Sequence, residues 1–239
     1  MNDFRYYRPN RFPPVVKNLI IINVIVFIAQ MTFENSKPFF IDNLFALHDI
    51  HSVYFKPHQL ITHMFMHGSF EHILFNMFAL WMFGSMLENY WGAKRFLQFY
   101  LICGLGAAVL HLGVLYFEMK PAWDYLKTLP SDVQADVINN PQIAVMGKAI
   151  NAGTVGASGA IFGCLAAFGY LFPNSLIYLY FLFPIKAKWF VIIYAALELW
   201  LGVRNSAGDN VAHFAHLGGA LAGIILVFIW NKTNRKTLY

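Results

Sequence analysis

Residues Asn210–Asn231 read NVAHFAHLGGALAGIILVFIWN, a run of 22 residues between Asp209 and Lys232 without a charged side chain. About 20 mainly apolar residues in a helix cross the hydrocarbon core of a bilayer, so this run reads as a membrane span. It is not uniformly apolar. His213 and His216 stand near its start, and a polar group at membrane depth is costly enough to be a functional candidate by default. Gly219 and Gly223 follow at small-x-x-x-small spacing, which lets the backbone of a second helix approach closely.

The rest of the chain has the same character. Of its 239 residues 58% are hydrophobic and only 12% charged, about half the charge of a soluble domain. Too few charges remain to clothe a water-facing surface, which excludes a soluble enzyme. Further charge-free windows occur at Asn18–Phe33, His72–Leu87 and Phe96–Phe117. The long window Ala149–Ile185 is broken at Pro173-Asn174-Ser175, a turn signal. It gives a short span from about Gly156 to Phe172, then an aromatic interfacial connector at Ile177–Phe183. Trp189–Val203 supplies another span. The expected fold is an all-α, polytopic membrane protein with six transmembrane helices.

With the N-terminus cytoplasmic, eleven of the 17 basic residues fall inside, among them Arg5, Arg8, Arg11, Lys94, Arg95 and Lys232. Lys37, Lys56, Lys120, Lys127, Lys148 and Arg204 fall outside. This asymmetry obeys the positive-inside rule and accounts for most of the net charge of +5 without a nucleic-acid partner. Residues 1–14 read as a cytoplasmic tail ahead of an uncleaved anchor. Residues 15–231 form the membrane domain and 232–239 a second cytoplasmic tail. Residues 118–152 form a long extracytoplasmic loop, with a helix start near Pro130-Ser131-Asp132. The expected location is a bacterial inner membrane. Cys103 and Cys164 lie in apolar stretches and build no disulfide framework.

The second, fourth and sixth spans descend from the outer side and carry polar groups near their outer ends. These are His72 and Asn76, then Ser158, then His213 and His216. A shared depth is not what scattered structural polar residues would produce. His72 and Asn76, four apart, leave one helix face. In Gly156-Ala157-Ser158-Gly159 a hydroxyl opens a helix, where unpaired N–H groups favour developing negative charge. Gly159 and Gly163 repeat the close-approach spacing, so the fourth and sixth spans can bring Ser158 to His216. Together these residues are the parts of acyl transfer: Ser158 as nucleophile, His216 as base, and His72, Asn76 and the Ser158 N–H at the oxyanion. No aspartate shares their depth in these three spans, so a dyad is expected, with packing rather than a carboxylate orienting His216.

At these residues the chain resembles the rhomboid family of intramembrane serine proteases. The matching pieces are His72-Ile73-Leu74-Phe75-Asn76, Gly156-Ala157-Ser158-Gly159 and Ala215-His216-Leu217-Gly218-Gly219, followed by Ala220 and Gly223. The resemblance implies a six-helix bundle that cleaves the transmembrane helices of other proteins without cofactor or metal. It implies Ser158 and His216 as catalytic residues, and His72 with Asn76 at the oxyanion. It also implies Phe162 against the catalytic imidazole, residues Glu34–Phe70 as a half-submerged first loop, and Arg204–Val211 as a cap over the site. Glu88 matches a structural glutamate. Two features depart from the family: His58-Gln59 replaces a Trp-Arg pair in the first loop, and Glu118–Ala152 is longer than the usual connection.

Several residues have competing readings. His213, three residues before His216, is expected to line the cavity or cap its helix. His63 and His67 have zinc-ligand spacing, but Met64 and Phe65 leave no place for the glutamate of a zinc protease, so structural hydrogen bonds are expected. His111 reads as a hydrogen-bonded packing residue and Cys164 as inert. Glu198, in the fifth span, reads first as lining a wet cavity, with gating of substrate entry and assistance to His216 as a third member as the alternatives. Two other functions compete: a non-catalytic relative that binds membrane clients, and a transporter or proton channel. The first would typically lack the serine or histidine. The second needs polar groups in the inner half of the spans, where Ser85 and Gln98 are among the few.

Overall fold

The structure is a computed structural model and describes residues 9–36, 39–139, 151–179, 183–204 and 212–234. Helix α1 spans Pro14–Ser36, α2 Phe40–Phe45 and α3 Gln59–Thr62, which passes into a 3-10 turn at His63–Phe65. Helix α4, Phe70–Ala79, continues through a π turn at Leu80–Gly84 into α5, Ser85–Trp91. Helix α6 spans Ala93–Leu126, α7 Ser131–Asn139, α8 Ser158–Leu171, α9 Ala187–Arg204 and α10 His213–Asn234.

Among the described residues four helices are long and apolar enough to cross a membrane: Pro14–Glu34, Phe70–Trp91, Ala93–Leu126 and His213–Lys232. These are the first, second, third and sixth expected spans. The other two depart from that standard. Helix α8 has 14 residues, a rise of about 21 Å against a core of about 30 Å. Helix α9 has 18 but carries Lys188, Glu198 and Arg204. Length and composition therefore do not by themselves confirm the count of six.

Burial explains why a short helix is tolerated at α8. Every residue from Gly159 to Gly169 is buried, so α8 is enclosed by protein rather than lipid. A helix apolar all round is an interior helix. Helices α6 and α10 enclose it, with Phe83 of the π turn against Phe168 at 5.2 Å between ring centroids. Large apolar side chains of α1, α9 and α10, such as Ile25, Ile193 and Phe228, point outward, as lipid contact requires.

Two expectations change in detail. Helix α6 runs on to Leu126, so the first part of the 118–152 connection is helix, and α7 opens at Ser131 as the sequence suggested. Of the connector at Ile177–Phe183, residues 180–182 lie outside the described residues, and the rest belongs to two antiparallel strands, Leu176–Leu179 and Phe183–Lys186, with Leu176 opposite Lys186. Alternating residues there do not split into apolar and polar faces, so strand periodicity is not visible.

Buried polar side chains fix the ends and loops. Glu88 is buried and accepts from the Val15 N–H at 3.0 Å and the Val16 N–H at 2.8 Å, capping the start of α1. Its negative charge also suits the positive end of the helix dipole. Replacing Glu88 with alanine orphans both donors at about 1–3 kcal/mol each. Thermal unfolding in detergent should show a destabilisation of about 2–6 kcal/mol on that basis, and an unchanged Tm would contradict the cap.

In the first loop Gln59 is fully buried. It accepts from the Lys56 N–H at 3.1 Å and donates to the Tyr54 carbonyl at 2.7 Å, with longer contacts to Asn43 and Leu44. This side chain therefore pins the loop.

Candidate active site

Ser158 is held by the chain just before it. Leu47 and Thr154 exchange two backbone hydrogen bonds of 2.9 and 2.8 Å, and the Gly156 N–H donates to the His63 carbonyl at 2.9 Å. His111 Nε2 bonds Thr154 Oγ1 at 2.7 Å, and His48 Nδ1 bonds the Asn151 carbonyl at 3.0 Å. The first loop and α6 thus clamp residues 151–156 and fix where α8 begins. His63 is part of this scaffold, with Nδ1 on the Gln59 carbonyl at 2.7 Å. Burial holds its imidazole down at about 4, and that of His67 at about 3. Both are neutral at physiological pH, but the expected structural hydrogen bond is made by His63 alone: neither ring nitrogen of His67 has a hydrogen-bond partner among the described residues.

Gly156 has φ 139°, a conformation that side chains rarely adopt. A Cβ there would also lie 3.0 Å from Cε1 and Nε2 of His72 and 3.3 Å from Ser158 Oγ. Glycine therefore opens the space in which the His72 imidazole approaches the serine.

Helices α8 and α10 meet through glycines. A Cβ on Gly219 would collide with the Gly159 carbonyl, and one on Gly223 would lie 2.8 Å from the Gly163 carbonyl. This approach brings His216, on α10, to Ser158, on α8, with Nε2 to Oγ at 2.8 Å. The Phe162 ring lies parallel to the His216 imidazole, 4.2 Å between centroids and 4° between planes. The Ser158 hydroxyl is half-buried, so it is within reach of a substrate.

Packing is not alone in orienting His216. Its Nδ1 lies 2.9 Å from Glu198 Oε2, and His213 Nδ1 lies 2.7 Å from the same oxygen. The expectation that packing rather than a carboxylate orients His216 is therefore corrected: a carboxylate from α9 bonds its imidazole. In the expected topology the span that forms α9 runs opposite to the three descending spans. Comparing only those three could not find a residue that reaches the same depth from the opposite direction. The available signal was the lone acidic residue inside an apolar span, which needs a buried partner.

His72 and Asn76 lie one turn apart on α4. Ser69 caps that helix, accepting from the His72 N–H at 3.1 Å. The Gly68 N–H donates to His72 Nδ1 at 3.4 Å, so the imidazole proton falls on Nε2, the atom beside Gly156. Asn76 is buried at 7% exposure, and its Nδ2 has no hydrogen-bond partner among the described residues. A buried amide left with an unused donor suits an acceptor that arrives with a substrate.

The remaining candidates are placed as follows. His213 opens α10 and bonds Glu198. The His67 ring packs edge-on against His72 at 5.0 Å. Cys103 and Cys164 are buried free thiols. Of the cap at Arg204–Val211, residues 205–211 lie outside the described residues. Among the described residues one group of three side chains could ligate a metal ion, Glu198 with His213 and His216. Their 2.7 and 2.9 Å separations are hydrogen-bond lengths, already used to hold His216 towards Ser158.

A family model described as the Rhomboid domain matches residues 54–233. The chain belongs to the rhomboid family. Rhomboid protein 1, mitochondrial, of Saccharomyces cerevisiae is 30% identical over 183 residues, which cover 74% of this chain and 43% of that protein. Rhomboid protease GluP of Bacillus subtilis is 28% identical, over 69% of this chain and 24% of its own length. Rhomboid protease AarA of Providencia stuartii is 26% identical, over 87% of this chain and 69% of its own. The chain spans about half the length of the first of the curated relatives it matches. The family is one of multi-pass helical membrane proteins and includes intramembrane proteases. Relatives named as mitochondrial, chloroplastic and bacterial all match, so they support a membrane without favouring a bacterial inner one.

Proposed function

We propose that this rhomboid is an intramembrane serine endopeptidase that cleaves transmembrane segments of other proteins, with Ser158 as nucleophile and His216 as general base. The observation that carries the reading is the 2.8 Å contact between Ser158 Oγ and His216 Nε2, made between two helices inside the membrane domain. A carboxylate bears no proton, so a neutral His216 that bonds Glu198 through Nδ1 carries its hydrogen there. Its Nε2 lone pair faces the serine, and the hydroxyl is the donor.

The reaction follows from these positions. Ser158 Oγ attacks the peptide carbonyl while its proton passes to His216 Nε2. The resulting oxyanion lies within the reach proposed for His72 Nε2–H, Asn76 Nδ2–H and the Ser158 N–H, unpaired in the first turn of α8. Collapse expels the amine, which takes the proton from His216, and leaves an ester on Ser158. A water then gives a proton to His216 and attacks the ester, and collapse releases the acid while His216 returns the proton to Ser158 Oγ. Losing one oxyanion donor typically costs about 2.7–4 kcal/mol of transition-state stabilisation. The scissile segment must unwind before its carbonyl is accessible, which favours substrates with glycine or other helix-weakening residues near the cut.

The test is cleavage of a panel of transmembrane segments by the protein reconstituted in liposomes. The unmodified chain should cut at least one member, and Ser158→Ala should cut none. Cleavage undiminished in Ser158→Ala would overturn the assignment.

A further inference from the structure

We infer that Glu198 is a positioning residue for this chemistry, one that holds His216 in the reactive tautomer and carries the compensating charge when the imidazole becomes protonated. The inference rests on the protease reading and deepens it. Glu198 is 4% exposed, and its Oε2 receives Nδ1 of His213 at 2.7 Å and Nδ1 of His216 at 2.9 Å. His213 and His216 are three apart on α10, so one helix face presents both donors to one oxygen. His213 thereby fixes the carboxylate, and the carboxylate fixes His216. A buried carboxylate needs such donors to offset its desolvation.

The arrangement changes what the base can do. Without an acceptor at Nδ1, neutral His216 could place its proton on Nε2, where it would face Ser158 and block proton transfer. With Glu198 that tautomer gives up a charge-assisted hydrogen bond. When His216 takes the serine proton, the imidazolium forms next to a fixed negative charge rather than in an apolar site. Parallel stacking of Phe162 on the ring leaves rotation about the Glu198 bond as little freedom as rotation away from Ser158.

A purely structural reading also exists, because Glu198 could simply tether α9. The buried residues of that helix are Ala187 and Glu198, while Ile192, Ile193, Leu197 and Trp200 face outward. Glutamine separates the two readings. Glu198→Gln can keep the tether through its carbonyl oxygen but carries no charge.

The experiment uses the full chain in liposomes, with two probes: a fluorophosphonate, and a synthetic transmembrane helix with a central Gly-Gly bearing a fluorophore and quencher. Glu198→Gln should lower the maximal rates of labelling and cleavage by up to about 10⁴-fold, the loss seen when a triad carboxylate becomes an amide. The half-saturating concentrations and Tm should stay near those of the unmodified chain, and Glu198→Asp should exceed Glu198→Gln in rate. A Glu198→Gln variant with an unmodified maximal rate, or an aspartate variant no faster than glutamine, overturns the inference. Ser158→Ala distinguishes the two levels. If it still cleaves, the protease reading fails; if it is inactive while Glu198→Gln is fully active, only the role of Glu198 fails.

Discussion

Replacing His216 with alanine should reduce cleavage by about 10⁶-fold, the loss seen when the base of a serine protease is removed. Serine is a weak nucleophile at neutral pH without a base to take its proton. Among the described residues the imidazole 2.8 Å from Ser158 Oγ is the side chain hydrogen-bonded to that hydroxyl. His213 cannot readily substitute, because its Nδ1 is committed to Glu198 and its ring centroid lies 6.4 Å from that of His216. Substrate binding is expected to survive, so the loss should appear in the maximal rate and not in the half-saturating concentration. Steady-state cleavage in liposomes measures both, and a fall of less than tenfold would contradict the assignment of His216.

Gly219→Val is expected to abolish the folded state's site altogether. A Cβ on Gly219 points onto the Gly159 carbonyl, and α8 has no room to retreat, because Gly159–Gly169 are buried and α6 lies behind it, so α10 must move. A Cβ on Gly159 would in turn strike Ala107 of α6. Overpacking a dense interior usually costs about 1–3 kcal/mol, and more when backbone must move. Here the movement separates the two helices that carry nucleophile and base. The expected result is a Tm fall large enough to detect in detergent, accompanied by loss of fluorophosphonate labelling. A variant that unfolds at the same temperature and labels at the same rate would show that the interface is looser than these contacts imply.

Much of this was legible in the sequence because lipid punishes stray polarity. His72, Asn76, Ser158 and His216 stand out against apolar spans, and one depth calculation groups them. The Gly219/Gly223 and Gly159/Gly163 pairs indicate which helices touch. Glu198 was harder to place because its helix runs the other way. Its depth must be counted from the opposite end, and its partners His213 and His216 lie across a connection in the chain. The paired strand Leu176–Leu179 left no alternating pattern to read, since both faces carry aromatic or aliphatic residues. Gln59 stood out only as half of the departing His58-Gln59 pair, and its role could not be read, because its several hydrogen bonds go to backbone groups whose positions only the folded loop defines. The short α8 illustrates the same limit: a 14-residue helix falls short of a membrane span until burial shows that protein, not lipid, surrounds it.

The most direct test is to locate the covalent adduct. The full chain in liposomes is treated with a fluorophosphonate and digested, and the modified peptide is sequenced by mass spectrometry. The account predicts one adduct, on Ser158, that forms quickly in the unmodified protein and does not form over the same interval in His216→Ala. An adduct on a different residue, or equally fast labelling of Ser158 without His216, would contradict it.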